Sequence, residues 1–258
     1  MKVEVLISCM RQRDYKLIED ENLLNTTALF VNQTESGEGT ILVDEKHRFI
    51  NTSTRGLSVS RNIAKNNSVG DICVIGDDDE RFFDNISEIV SKEYELRPDA
   101  DIIVFKVAGL NKKYPKKAKR LKKIDVFHLS SVQITFKRKS VENILFNERM
   151  GAGTENGGGE EVDFVLRCLK KGLKAYFVPV EMAELMPSES SWFNGYDEKY
   201  FYNRGTSTRH TFGLPISVAY AFYYVIAKRK SYKGGISVFH ALNATLKGIR
   251  DNKLKDKK

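Results

Sequence analysis

Three consecutive aspartates, Asp77-Asp78-Asp79, followed by Glu80, stand directly behind the apolar run Ile72-Cys73-Val74-Ile75 and Gly76. Carboxylates gathered at the end of a buried strand suit a hard divalent cation, Mg²⁺ or Mn²⁺. Such a cation takes one or two carboxylates in an octahedral shell and leaves room for substrate phosphates. The same four acids would also serve as a solvated turn that caps a helix starting near Phe82, and the triplet alone does not separate the two readings. Two further constellations bear on it. Leu57-Ser58-Val59-Ser60-Arg61-Asn62 puts an arginine and an asparagine in the first turn of a helix opened by Gly56. A helix N-terminus favours anions, and arginine offers a fixed fork of donors to a phosphate. Gly159-Glu160-Glu161-Val162-Asp163-Phe164 starts another helix with acids behind a glycine-rich stretch. Early acids complement the helix dipole, and one of them, carried beside a loop, can also act as a general base toward a hydroxyl.

The elements that position these residues alternate. Lys2 to Cys9 reads as a strand, Asp14 to Leu24 as a helix with an apolar stripe, and Ala28 to Val31 as a strand. Short strands at Thr40 to Val43 and His47 to Ile50 follow, then the Gly56 helix, the strand Asp71 to Ile75, an amphipathic helix Phe82 to Lys92 and a strand Asp101 to Val107. This order predicts parallel βαβ units, with ligands outside the carboxyl ends of the strands, where the aspartates lie. In the middle of the chain, a strand at Val132 to Arg138 and a short helix at Ser140 to Leu145 precede a mobile loop, Phe146 to Gly159. A helix Glu160 to Lys171 and a strand Lys174 to Val180 come next. After Pro187 an aromatic, polar stretch, Ser188 to Asn203, leads to two helices, Leu214 to Lys230 and Ile236 to Arg250.

The composition, 41% apolar and 29% charged over 258 residues, is that of a globular chain with a real core. Three scattered cysteines, Cys9, Cys73 and Cys168, make no disulfide framework and point to a reducing, cytoplasmic compartment. The N-terminus reads as the first strand of the fold, without the features of a signal peptide. No apolar window reaches the length of a membrane span. The net charge is +8, and Lys112 to Lys123 alone holds eight Lys/Arg and no acid. That basic run, which Pro115 marks as a loop, has no nucleic-acid-binding motif around it. It suits an anionic membrane surface or a lipid-diphosphate acceptor better than nucleic acid. Leu214 to Ala227, apolar with three tyrosines and then Lys228-Arg229-Lys230, has the pattern of an interfacial helix, or of a helix packed on the domain with a solvated basic end.

Taken together, the order is a strand, a helix opened by Leu-Ser-x-x-Arg-Asn, and a strand ending in clustered aspartates. Gly-Glu-Glu-x-Asp-Phe follows, with Arg167, Gly172 and Pro179 beyond it. From Met1 to about Pro187 this order resembles the family-2 type of inverting glycosyltransferase with the GT-A fold. The resemblance implies an α/β, Rossmann-like nucleotide-sugar-binding domain with a mixed central sheet flanked by helices, over residues 1–187. Residues 188–258 then form a C-terminal helical extension. It implies that Asp77, Asp78 and Asp79 form the DxD-type element that holds Mn²⁺ or Mg²⁺ on the donor diphosphate, in a register the triplet leaves open. Arg61 matches the arginine near that diphosphate, Glu161 the catalytic base, and Glu160 a neighbour that orients or binds acceptor, with Asp163 a further acceptor-side candidate. Ser8 and Cys9 lie where the first strand end lines the nucleobase pocket.

Two departures accompany the resemblance. The family's aspartate pair after the second strand is replaced by Asn32-Gln33-Thr34-Glu35, so Asn32 is the candidate for reading a nucleobase edge. The family's His-Pro is replaced by Met186-Pro187, and a thioether is a poor ligand for a hard cation. His210 is a possible substitute ligand, with an ordinary capping or surface histidine as the simpler reading. Trp192 can stack on a sugar ring or fill a core. The expected function is metal-dependent transfer of a sugar, from a UDP-sugar donor, to a hydroxyl of a growing, lipid-linked cell-surface glycan at the inner face of the cell membrane. The competing classes are a nucleotidyltransferase on a related sheet, disfavoured by the glycine-free Cys9-Met10-Arg11-Gln12-Arg13, and a non-catalytic glycan- or membrane-binding module, disfavoured by the intact acids.

Overall fold

The computed structural model describes residues 1–35, 37–110, 112–186 and 195–254. The chain folds into two compact units. The first comprises Met1–Arg55, Val59–Phe146 and Phe164–Ser188, and the second Gly56–Ser58, Asn147–Asp163 and Glu189–Lys258.

The first unit holds a ten-stranded sheet. Its strands are β1 (Val3–Met10), β2 (Ala28–Gln33), β3 (Gly39–Leu42), β4 (His47–Thr52), β5 (Ile72–Asp77), β6 (Glu80–Phe82), β7 (Ile102–Ala108), β8 (Lys119–Arg120), β9 (Ile134–Lys137) and β10 (Ala175–Leu185). Their spatial order is β3-β4-β2-β1-β5-β9-β7-β10-β6, with β8 also paired to β10. β4, β2, β1 and β5 run parallel to one another, and β7 and β10 form a further parallel pair. β9 is inserted antiparallel to both β5 and β7, and β3, β6 and β8 are antiparallel at their own borders. The sheet is therefore mixed, as the resemblance implied, and the plain parallel βαβ pattern holds only for part of it.

β1 shows why these residues make a central strand. Seven of its eight residues are buried, and Val3, Val5, Ile7 and Cys9 on alternate positions join one core with Leu17, Leu23, Ile86, Val90 and Tyr94. A strand apolar on both faces is stable only when covered on both. The one buried acid of β1, Glu4, is fully partnered. Its carboxylate accepts from Arg48 (2.7 Å), Ser68 Oγ (2.6 Å) and the N–H groups of Val69 and Gly70.

Helices α1 (Leu17–Asp20), α2 (Leu57–Asn67), α3 (Ile86–Leu96) and α4 (Glu160–Lys170) follow in chain order. The helix expected over 14–24 shrinks to α1. Asn22 takes a left-handed conformation, φ +60°, and its amide bonds Phe82 O at 2.9 Å, which turns the chain away. The helix expected from Phe82 starts instead at Ile86, because β10 recruits Glu80–Phe82 as a strand. Here a tertiary partner overrides a local apolar period. The short helix expected over 140–145 is only a 3₁₀ turn, Lys139–Val141.

The second unit is built on α5 (Glu198–Phe212), α6 (Leu214–Ala227), α7 (Arg229–Tyr232) and α8 (Val238–Asp251). α5 has no apolar period to announce it. Asp197 caps it by accepting from Tyr200 N at 2.6 Å, and Thr206, Ser207 and Thr208 return their hydroxyls to the carbonyls of Tyr202, Asn203 and Arg204. Its buried face is small because it meets α8 backbone to backbone. A Cβ on Gly205 would lie 2.0 Å from Thr245 O, and one on Gly248 would lie 2.1 Å from Tyr202 O.

Candidate functional site

β1 and β5 are parallel neighbours, and their register sets Ser8 beside Asp77. The acidic run thus emerges at the carboxyl end of β5, next to the end of β1. Gly76, inside β5, leaves room for the core side chains beneath the turn, since a Cβ there would come within 2.5 Å of Ile7 Cδ1 and 2.9 Å of the Phe82 ring. Asp78 and Asp79 form the turn and Glu80 begins β6. The turn is pinned at both ends. Asp77 N donates to Glu80 Oε2 at 3.1 Å, and Met186 N donates to Asp79 O at 2.9 Å. The backbone of Met186 therefore lies against the acidic turn, and its side chain is a thioether rather than a ligand suited to a hard cation.

Arg61 comes to the same place from the second turn of α2. Its Nη2 lies 2.8 Å from Asp77 Oδ1 and 3.2 Å from Oδ2, with the guanidinium 5.9 Å from the centre of the Phe146 ring. Arg61 is 1% exposed. Asn62, its neighbour, is not turned to this cluster but clamps Phe146, donating to its carbonyl at 3.0 Å and accepting from its N–H at 2.8 Å. Ser60 donates to Ser8 Oγ at 2.9 Å, and Ser131 Oγ lies 3.4 Å from Asp77 Oδ2. Of the residues expected at the donor, Ser8, Arg61 and Asp77 are thus brought together.

Asn32 and Cys9 are neighbours across β1 and β2, but both are buried and committed. The Asn32 amide donates to Gln12 O and Asn51 Oδ1 and accepts from Gln12 N, each at 2.9 Å, so it clasps the loop after β1. Burial pushes the Cys9 thiol far above its ordinary value.

The electrostatics of the turn are set by Glu80 and Asp78 together with Glu21, an acid with no sequence signal to mark it as part of the turn. Glu21 is fully buried, and neither of its carboxyl oxygens has a hydrogen-bond partner. Burial, then Asp78, Asp77 and Asp79, raise it well above the ordinary glutamate value. Glu80 is raised in the same way by burial and then by Asp77, with its Oε1 unpartnered. Asp78, at the exposed apex, is raised by partial desolvation and by Asp77 and Asp79 on either side. Each of these shifts records first the cost of burying a carboxylate and then the cost of holding negative charges together, and a bound cation relieves the second. The donor set therefore fits a hard divalent ion. Among the described residues no three His, Cys, Asp or Glu side chains form a ready cage. That is compatible with an ion that takes one or two carboxylates and fills its shell with phosphate and water oxygens.

The second unit carries the acids of α4. Glu160 and Asp163 are buried and Glu161 is half-buried. The stretch before α4 is a closely bonded turn. Gly151 N donates to Asn156 O at 2.9 Å, and buried Asn156 donates to Gly158 O at 3.0 Å and Ser207 Oγ at 2.6 Å. The start of α2 is tied to the same turn by Ser58 Oγ to Met150 O (2.7 Å) and Leu57 N to Ala152 O (2.9 Å). Gly151 and Gly159 both have positive φ, and a Cβ on Gly151 would touch the Glu160 carboxyl at 3.3 Å. His210 sits with Asp163, Nε2 to Oδ1 3.7 Å, and with Asn147 Nδ2 at 3.2 Å. Trp192 lies outside the described residues. Lys112, the first of the basic run, is used inside its own unit, donating to His128 O, Ser130 Oγ and Gln133 Oε1, and Lys119 pairs with Asp125 at 2.5 Å.

With this geometry in view, known structures place the fold. The chain is similar to S. aureus TarS 1-349 in complex with UDP-GlcNAc, with a TM-score of 0.62 at 12% identity over 96% of this chain and 82% of that one. It is similar to the same protein in complex with UDP, with a TM-score of 0.59 at 11% identity over 96% and 81%. Against a further structure of S. aureus TarS 1-349, the TM-score is 0.53 at 12% identity, over 99% and 74%. No family model matches the sequence, and no curated protein does. The fold is that of the GT-A glycosyltransferases, as the order of motifs implied.

Proposed function

We propose that this protein is a metal-dependent inverting glycosyltransferase that moves a sugar from a UDP-sugar to a hydroxyl of a growing, lipid-linked glycan at the inner face of the cell membrane. The observation that carries the reading is the paired Arg61 and Asp77 beside Ser8, at the carboxyl ends of two parallel strands, with Asp78 and Asp79 in the turn beyond. The likeness to a protein that binds UDP-GlcNAc and UDP supports the choice of donor.

Asp78 and Asp79 are the residues proposed to hold Mn²⁺ or Mg²⁺, since Asp77 already answers Arg61. When bound, the ion supplies electrostatic stabilisation to a departing nucleoside diphosphate. Arg61 holds Asp77, and through it the end of β5, in place without reorganisation. Ser8 and the end of β1 flank the nucleotide. Glu161, the less buried of the α4 pair, takes the proton of the attacking hydroxyl, while Glu160, packed against Gly151, orients it. A single displacement then inverts the anomeric carbon.

The test is thermal stabilisation by a panel of nucleoside diphosphates with and without Mn²⁺. UDP with Mn²⁺ should stabilise by about 3 kcal/mol at a hundredfold excess over its Kd. No stabilisation by any member of the panel would remove the reading.

A further inference from the structure

The outer face of α6 is apolar where a soluble helix is polar. Ser217, Ala221, Tyr224 and Val225 point inward and are buried. Ile216, Phe222, Tyr223 and Ile226 lie on the opposite side and are 47–67% exposed. The larger apolar side chains are thus on the wet side of the helix, the reverse of ordinary amphipathic packing. An exposed apolar face of this kind marks a surface that another phase or partner covers.

The charge around that face says which. α6 runs directly into Lys228, Arg229 and Lys230, with Lys233 beyond, all exposed. From Lys199 to Arg250 the chain has nine Lys/Arg and no Asp or Glu. A second copy of the same segment would bring no counter-charge to this one, so self-association through the face is disfavoured. An anionic bilayer answers both features, taking the apolar face at the acyl boundary and the cations among its headgroups. At 14 residues α6 is about 21 Å long, too short to cross, and no helix among the described residues is long and apolar enough to do so. We propose that α6 lies in the membrane surface with its outer face down, anchored by Lys228, Arg229, Lys230 and Lys233 on anionic lipid. The proposal deepens the reading of a lipid-linked acceptor by naming the surface that meets the lipid, though its geometry stands without the chemistry.

The experiment is co-sedimentation of the full chain with vesicles of phosphatidylcholine, with or without phosphatidylglycerol, in the absence of nucleotide. Wild type should pellet with the anionic vesicles, weakly with the neutral ones, and less as salt rises. Replacing the four cations, K228Q/R229Q/K230Q/K233Q, should lower partitioning at least about tenfold. F222Q/I226Q should weaken the binding that survives high salt. Circular dichroism and the UDP–Mn²⁺ stabilisation, read on the same variants, check that the fold is intact, and because vesicles are tested without nucleotide the two proposals fail separately. Absence of anionic-vesicle binding, binding unchanged in both variants, or a dimer by light scattering that F222Q/I226Q dissolves would each overturn the proposal.

Discussion

Arg61 Nη2 lies 2.8 Å from Asp77 Oδ1, so the first of three adjacent aspartates is neutralised by the protein itself. The arginine is 1% exposed and the Asp77 side chain 25% exposed. Removing one member of such a pair strands the other, and for a fully buried pair that costs about 3–5 kcal/mol. Because Asp77 reaches solvent, Arg61→Met should destabilise by less than a fully buried pair would, about 2–3 kcal/mol. Urea unfolding of Arg61→Met, Asp77→Asn and the double variant measures it. A double variant less destabilised than the sum of the singles is the signature of the pair.

Asp78 and Glu161 should separate by function. Asp78→Asn should abolish Mn²⁺-dependent UDP binding. Glu161→Gln should leave that binding in place and lower the transfer rate by about 10²–10⁴-fold, the usual worth of a general base. Calorimetric titration of UDP with Mn²⁺, set beside a transfer assay, reads both. If Glu161→Gln also lost nucleotide, its role as base would be refuted.

Glu21 should make stability depend on pH. Its folded-state value is raised, so its contribution is fully present below the ordinary value of 4.5 and is lost as pH rises through the raised value. The stability of wild type relative to Glu21→Gln should therefore fall as pH rises from about 4.5 toward neutral. Mn²⁺ should offset part of that loss in wild type. Denaturant melts of both proteins across pH, with and without Mn²⁺, give the sign directly.

Gly248→Ala sets two effects against each other. In an exposed helix interior the change would stabilise by about 1 kcal/mol. Here the new Cβ would lie 2.1 Å from Tyr202 O, a backbone atom that cannot step aside. Overpacking costs about 1–3 kcal/mol where neighbours can adjust, so the net effect here should be a loss of about 2 kcal/mol or more. Gly205→Ala should behave alike, and thermal unfolding followed by circular dichroism checks both.

Much of this protein was legible locally. The run Ile72 to Ile75 followed by aspartates announced β5 and its acidic end, and Glu160 with the apolar period behind it announced α4 to within a residue. α5 was missed because Gly205 to Thr208 at its centre carry no apolar period. Its stability comes from hydroxyl-to-carbonyl bonds and from close contact with α8, neither of which has a period to read. One acid partner of the triplet was missed for a related reason. Glu21 reads as part of an amphipathic helix, and only the turn at Asn22 brings it near Asp78.

The sequence by itself determined the long apolar strands, the acidic turn and the acids that open α4, because these depend on apolar period and side-chain chemistry within a few residues, whereas β6 and β8 exist only through their pairing with β10. Only the tertiary structure decided that Arg61 answers Asp77, that Asn32 is spent on Gln12 and Asn51, and that His210 stands with Asp163. Each of those is a contact between residues far apart in the chain, and which partner a charged or amide group finds is settled by sheet register and helix placement. The three aspartates at the end of β5 are chemically alike in the sequence. Burial, an ion pair and a turn make them different in the fold.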